Sequence, residues 1–122
     1  MFSNENKTER GARCESYVIE GMEKRGYKLI TRNYRIHNVG ELDIVMEKDN
    51  KIYILEVKAR KVNSNYPGPI EAITPSKRQK LLRTTNYLIR EYSLYGKDIN
   101  FLASLVYLNS DGSVQKVEII PF

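Results

Sequence analysis

The sequence predicts an α/β domain, a central mixed β-sheet of about five strands flanked by helices in the order α-β-β-β-α-β-β. Three observations predict it. Apolar runs containing Leu42, Ile44 and Val45 and then Ile52, Ile54, Leu55 and Val57 lie on either side of Asp49-Asn50, the pattern of a β-hairpin with a tight turn. Residues 8–25 and 75–92 carry apolar side chains at helical spacing between start and stop signals. A further apolar strand, residues 99–108, follows the second helix. That makes a β-α-β crossover, which is parallel and right-handed.

At 122 residues the chain is expected to form one domain, 1–122, with a single hydrophobic core and a flexible N-terminus over residues 1–7. A content of 41% hydrophobic and 29% charged residues is that of a globular protein. No run approaches the ~20 apolar residues of a membrane span, and the polar N-terminus has no apolar signal-peptide core. The expectation is a cytoplasmic protein. Cys14 is the single cysteine and His37 the single histidine, too few for a disulfide, a zinc cage or a supported thiol nucleophile. Chemistry must then rest on carboxylates and lysines. The net charge is +5, and between positions 57 and 90 eight cations face only Glu71. Such a basic surface points to nucleic acid.

In the first helix, Cys14, Val18 and Met22 recur at four-residue spacing with Ile19 beside them, and Gly26 is the stop. Glu15 falls on the edge of that inward stripe. Residues 27–36 read as a strand, and His37-Asn38-Val39-Gly40 as a reversal in which Asn38 and Gly40 tolerate unusual backbone angles. An even turn centred on Asp49-Asn50 pairs Lys48 with Lys51 and, continuing, sets Asp43 opposite Glu56. Lys58 shares their face, because residues two apart in a strand do, so the three gather within about 7 Å. Ile52, Ile54 and Leu55 make the second hairpin strand apolar on both faces, as an interior strand is. Two opposed acids there need a cation, and a bound metal is the more economical one.

Residues 60–73 form a long connection with Asn63-Ser64-Asn65, Pro67-Gly68-Pro69 and a candidate base-stacking residue, Tyr66. Thr74-Pro75 is a cap followed by proline at the first helical position. The second helix is expected to turn Leu81, Leu82 and Tyr87 inward, with Thr84, Thr85 and Leu88 nearby, and to crowd Lys77, Arg78, Lys80 and Arg83 into its first turns, an arrangement that suits phosphate. Gly96 closes this stretch. After the strand 99–108 and the turn Asn109-Ser110-Asp111-Gly112, residues 114–120 read as a last, edge-like strand.

With these residues in view, the chain resembles the YraN family, small proteins related to the restriction-endonuclease-like PD-(D/E)xK nucleases and to archaeal Holliday junction resolvases. The resemblance runs over residues 11–122. It rests on Arg32-Asn33-Tyr34-Arg35, Gly40-Glu41-Leu42-Asp43-Ile44-Val45, Glu56-Val57-Lys58-Ala59-Arg60 and the Lys77-containing start of the second helix. It implies a restriction-endonuclease-like fold in which Asp43 and Glu56 hold a divalent metal, Lys58 assists attack on the phosphodiester, and Glu15 is a further metal-site acid on the first helix. Two positions depart from the family's pattern: Cys14-Glu15 stands where Gly-Glu is usual, and Asn100-Phe101-Leu102 where Arg-Phe-Asp is usual.

The function expected is metal-dependent hydrolysis of phosphodiester bonds, with Mg²⁺ or Mn²⁺ as cofactor and DNA rather than RNA as the substrate. Glu15, Asp43, Glu56 and Lys58 form the expected catalytic set, and Arg60, Lys61, Lys77, Arg78 and Lys80 the nucleic-acid-binding set. No base-reading residues stand out, so selectivity for structure or ends is expected. The alternative is a non-catalytic nucleic-acid-binding module working in a larger complex. A third reading makes the last strand an interaction edge, through which the chain forms a homodimer.

Overall fold

The computed structural model describes Phe2, residues 4–62 and residues 73–122. The elements follow the predicted order: α1 (Lys7–Glu23), β1 (Lys28–Ile36), β2 (Gly40–Lys48), β3 (Lys51–Lys61), α2 (Pro75–Glu91), β4 (Asp98–Leu108) and β5 (Val114–Pro121). The five strands form one sheet in the order β1-β2-β3-β4-β5. Only β3 and β4 pair in parallel, across the α2 crossover; the other neighbours are antiparallel. Tyr66 and the Asn- and Pro-rich part of the long connection lie outside the described residues. Among the described residues no helix is long and apolar enough to cross a membrane.

Local chemistry accounts for the ends of the elements. Asn6 caps α1 by accepting the Glu9 N–H at 2.8 Å, and Glu5 is held by Arg13 at 2.7 Å. The helix and its cap therefore begin inside the stretch expected to be a flexible N-terminus. Gly26, at φ 93°, lets the chain leave α1 in the left-handed conformation that a side chain resists. Thr74 caps α2 by accepting the Lys77 N–H at 3.2 Å, with Pro75 behind it. Asp49 and Asn50 both have positive φ, 51° and 63°, as a two-residue hairpin turn of matching twist demands. The predicted register follows from Lys48↔Lys51 through Ile44↔Leu55.

The sheet separates two apolar layers rather than enclosing the single core expected. On one face Cys14, Val18, Ile19 and Met22 of α1 pack with Ile44, Met46, Leu55, Val106 and Leu108. On the other, Leu81 and Leu88 of α2 pack with Leu42, Val45, Ile52 and Ile54. A strand buried on both sides supplies each layer from alternate residues, which is why β3 is apolar on both faces from Ile52 to Leu55.

The inward face of α2 departs from the expected one at Leu82 and Tyr87. Leu82 is 53% and Tyr87 41% exposed, whereas Leu81, Thr84, Thr85 and Leu88 are buried. Positions 81, 84, 85 and 88 lie on one helical stripe, and 82 and 87 fall to either side of it. The two threonines join the stripe because each satisfies its hydroxyl locally. Thr84 donates to the Lys80 carbonyl at 2.7 Å and Thr85 to the Leu81 carbonyl at 2.6 Å.

Candidate active site

The hairpin ladder stops one pair short of Asp43 and Glu56. Beyond Ile44↔Leu55 the next hydrogen-bonded pair would send the Val57 N–H to the Leu42 carbonyl. The Val57 N–H instead donates to Asp43 Oδ2 at 2.9 Å. The β1–β2 pairing likewise passes from Arg32↔Ile44 to Tyr34↔Leu42, and Asn33 between them has φ 52°. This irregularity turns Tyr34 and Leu42 toward α2, while Arg32 reaches the α1 side. Asp43 therefore stands where the sheet opens, its carboxylate oriented by a main-chain donor rather than by a regular cross-strand pair.

The opening is a pocket of about 360 Å³ lined by Glu15, Gly40, Glu41, Asp43, Glu56, Val57, Lys58, Lys77, Lys80 and Leu81. Two strands and both helices contribute to it. Glu56 is only 4% exposed, and burial first, then the Asp43 charge, pushes its pKa up to about 8. Lys77, from the first turn of α2, approaches Glu56 Oε2 at 3.6 Å. Burial and the neighbouring Lys77 ammonium together lower the Lys58 pKa. Glu15 also lies above the usual carboxylate range, through burial chiefly, with the Asp43 charge adding to it and Arg32 opposing it.

Of the four expected catalytic residues, the structure brings all to this pocket, although not in equal roles. Glu56 and Lys58 alternate onto the side of β3 where Lys77 of α2 meets Glu56, whereas the expected Asp43–Glu56 pair is not part of the ladder and Asp43 reaches the pocket where the sheet opens. Glu15 enters from α1 and is engaged by Arg32 Nη2 at 3.2 Å, with Ser16 and the Ala12 carbonyl accepting from the same guanidinium. Among the described residues no three His, Cys, Asp or Glu side chains stand close enough as they are to enclose a metal. Of the three acids of the expected ligand set, Asp43 and Glu56 line the pocket from β2 and β3, and Glu15 lines it from α1 with Arg32 on its carboxylate.

The expected nucleic-acid-binding residues divide. Lys77 and Lys80 line the pocket. Arg78 does not; its guanidinium lies 6.0 Å from the centre of the Phe122 ring. Arg60 and Lys61 continue β3 beyond the pocket, beside Tyr107 and Leu108 of β4. Sequence reasoning placed Lys77 on a phosphate-binding helix and missed its contact with Glu56. The signal was present in the Thr74-Pro75 cap, which fixes where the first turn begins, but the docking of that turn on β3 is tertiary. Arg32 was missed as the partner of Glu15.

Gly40 sets how closely α2 approaches the hairpin. A Cβ there would stand 2.5 Å from Thr84 Oγ1 and 3.5 Å from the Lys80 carbonyl oxygen. The missing side chain lets the first turns of α2, carrying Lys77 and Lys80, come down over β2. Cys14 is fully buried and burial raises its pKa, so it is a packing residue, and His37 is exposed in the β1–β2 turn.

Comparison with known proteins places this geometry in a family. The family model described as "Uncharacterised protein family UPF0102" matches residues 14–111, which span Glu15, Asp43, Glu56, Lys58 and Lys77. A UPF0102 protein of Sulfurihydrogenibium sp. is 38% identical over 96 residues, covering 79% of this chain and 82% of the relative. One of Leifsonia xyli is 43% identical over 86 residues, 70% of this chain and 71% of the relative. One of Caldicellulosiruptor saccharolyticus is 32% identical over 115 residues, 94% and 96% of the two chains. A family match over most of the chain, and relatives covered over most of their own length, agree with the YraN resemblance: the chain belongs to the UPF0102 family.

Proposed function

We propose that this protein is a divalent-metal-dependent nuclease of the restriction-endonuclease-like PD-(D/E)xK kind, hydrolysing phosphodiester bonds in DNA with selectivity for structure or ends. The observation that carries the reading is the meeting of buried Glu56 and half-buried Asp43 at the open end of the hairpin, with Lys58 and Lys77 in the same pocket. Two adjacent carboxylates in a buried setting are costly unless a cation meets them. The donors fit a hard cation. Carboxylate oxygens suit Mg²⁺ or Mn²⁺, and a Glu56 pKa raised to about 8, by burial first and the Asp43 charge second, marks a carboxyl whose charged form the two lysines compensate only in part. Asp43 and Glu56 would hold the ion, with Glu15 at its border. When bound, the ion supplies polarisation of the phosphate and activation of water for attack.

The remaining chemistry belongs to the chain. The Val57 N–H keeps Asp43 Oδ2 in place, leaving its other oxygen for the pocket. Lys58 offers positive charge where negative charge gathers on the phosphoryl oxygens as water attacks phosphorus and the P–O bond to the leaving oxygen breaks. Lys77 and Lys80, at the amino end of α2, draw the phosphodiester backbone into the pocket with the help of the helix dipole. None of these groups reads a base edge, which supports selectivity by shape rather than by sequence. Localisation in the cytoplasm, beside DNA, accords with this reading.

The test sets wild type, Asp43→Ala and Lys58→Ala against supercoiled, linear, single-stranded and branched DNA, with Mg²⁺, Mn²⁺ or chelator. Wild type should cut with metal only, and both variants should lose at least about a hundredfold in rate. Full Mn²⁺-dependent cleavage by a clean Asp43→Ala preparation would move the site elsewhere. The Lys77–Glu56 ion pair, which partly satisfies the acid without metal, favours a second reading, a non-catalytic DNA-binding module. Metal-independent, salt-sensitive binding without cleavage by any form would select it.

A further inference from the structure

The sheet has two edges of different chemistry. β1 carries Lys28, Arg32 and Arg35 and no acid, so pairing with a second copy would set cation against cation. β5 carries Lys116 and Glu118, one residue to either side of Val117. Among the described residues no strand pairs with its outer edge.

The direction of the β5 main chain follows from the ladder. The Phe122 N–H donates to the Phe101 carbonyl at 3.1 Å, and the register continues through Leu102↔Pro121 and Ala103↔Ile120. Alternation in an antiparallel pair then points the N–H and C=O of residues 116, 118 and 120 toward β4 and those of Val117 and Ile119 outward. Pro121, which has no N–H, falls on the outward set, where it leaves no β4 bond unmade.

We infer that β5 is the interface through which two copies of this chain associate, antiparallel about a twofold axis through Val117, giving one continuous ten-stranded sheet. About that axis Val117 meets Val117 as a hydrogen-bonded pair, and Ile119 comes opposite Gln115, the extra residue where the β4–β5 register shifts. Lys116 of each copy stands directly opposite Glu118 of the other, in the closer, non-hydrogen-bonded kind of pair. Within one chain Lys116 Nζ pairs with Glu118 Oε1 at 3.2 Å, and at 56% and 43% exposure both side chains can exchange that solvated pair for the equivalent one across the axis. Sequence alternation of opposite charge is the feature that makes the edge self-complementary, since two like charges at 116 and 118 would repel their own copies.

An apolar groove extends the interface beyond the strand. Between α1 and β5 a cleft of about 270 Å³ is lined by Tyr17, Val18, Gly21, Met22, Val117 and Ile119, with Arg25 its one charged residue. Tyr17 is half exposed at its mouth. Val117 and Ile119 turn to the α1 side, so the twofold axis brings the two clefts together and gives the association apolar area besides its main-chain bonds.

Sedimentation velocity and light scattering test this on the full chain at micromolar concentration. Wild type should have twice the 14.2 kDa mass of one chain. Glu118→Lys, or Lys116→Glu, should weaken the dimer about tenfold or more, since each puts like charges opposite at two places. An equimolar mixture of the two variants should recover it, as should the Lys116→Glu/Glu118→Lys double variant. Both positions are exposed, so circular dichroism should be unchanged. Wild type that stays monomeric overturns the proposal, as does a dimer that the charge changes leave intact. The outcome is separate from that of the nuclease reading, because β5 contributes nothing to the carboxylate pocket.

Discussion

Glu56 shows how a residue's surroundings become a measurable property. Its carboxyl keeps a proton to about pH 8 in the fold, whereas in the unfolded chain it releases it near the ordinary 4.5. Between these values the unfolded state binds fewer protons than the native one, so this group's contribution lowers stability as pH rises through the window. Glu56→Gln should therefore match wild type near pH 5 in chelator and exceed it at pH 8 by on the order of 3 kcal/mol. Urea denaturation at the two pH values measures it. An unchanged pH slope in the variant would show that Glu56 is not the group responsible. Lys77 makes a second residue-level prediction. Beside Glu56 at 3.6 Å it competes with any other cation. Lys77→Met should bind Mn²⁺ roughly tenfold more tightly by calorimetry while binding DNA more weakly. A fall in Mn²⁺ affinity would place Lys77 outside the acids' electrostatic reach.

At the scale of elements, the site depends on how α2 docks on the hairpin. Gly40→Ala should cost about 1–3 kcal/mol, because the new methyl meets Thr84 Oγ1. Combining it with Thr84→Ala removes that atom, so a double-mutant cycle should show favourable coupling of about 1 kcal/mol. Additive costs would mean that α2 yields elsewhere. The hairpin itself was legible in advance. A two-residue turn with Asp49 and Asn50 permits one register, and that register is the one adopted through Ile44↔Leu55. The helix face was legible only in part. Leu82 and Tyr87 are apolar enough to suggest burial, but the stripe that contacts the sheet takes Thr84 and Thr85 instead, since their hydroxyls are satisfied within the helix.

For the whole molecule, the separation of basic residues matters more than the net charge of +5. Lys77 and Lys80 converge on the pocket from α2, while Arg78 on the same helix turn lies over Phe122. DNA affinity should fall steeply with salt, and Lys80→Ala should reduce the log–log slope by about 1. Arg78→Ala should leave that slope unchanged. Equal effects of the two would mean that the DNA path crosses the whole amino end of α2 rather than the pocket side alone.

What the sequence by itself determined is local or periodic. Turn chemistry set the hairpin and its register, the Thr74-Pro75 cap set where α2 begins, and the doubly apolar β3 implied cover on both faces. Those features depend on neighbours within a few residues or on a repeat of two or 3.6. What only the tertiary structure decided depends on contacts between residues far apart in the chain. The sheet opens at Asn33 and Asp43, so Asp43 takes the Val57 N–H; Arg32 reaches across to hold Glu15; and Gly40 lets α2 settle close enough for Lys77 to meet Glu56. No spacing rule encodes these meetings, because each is set by how two packed layers close on one sheet.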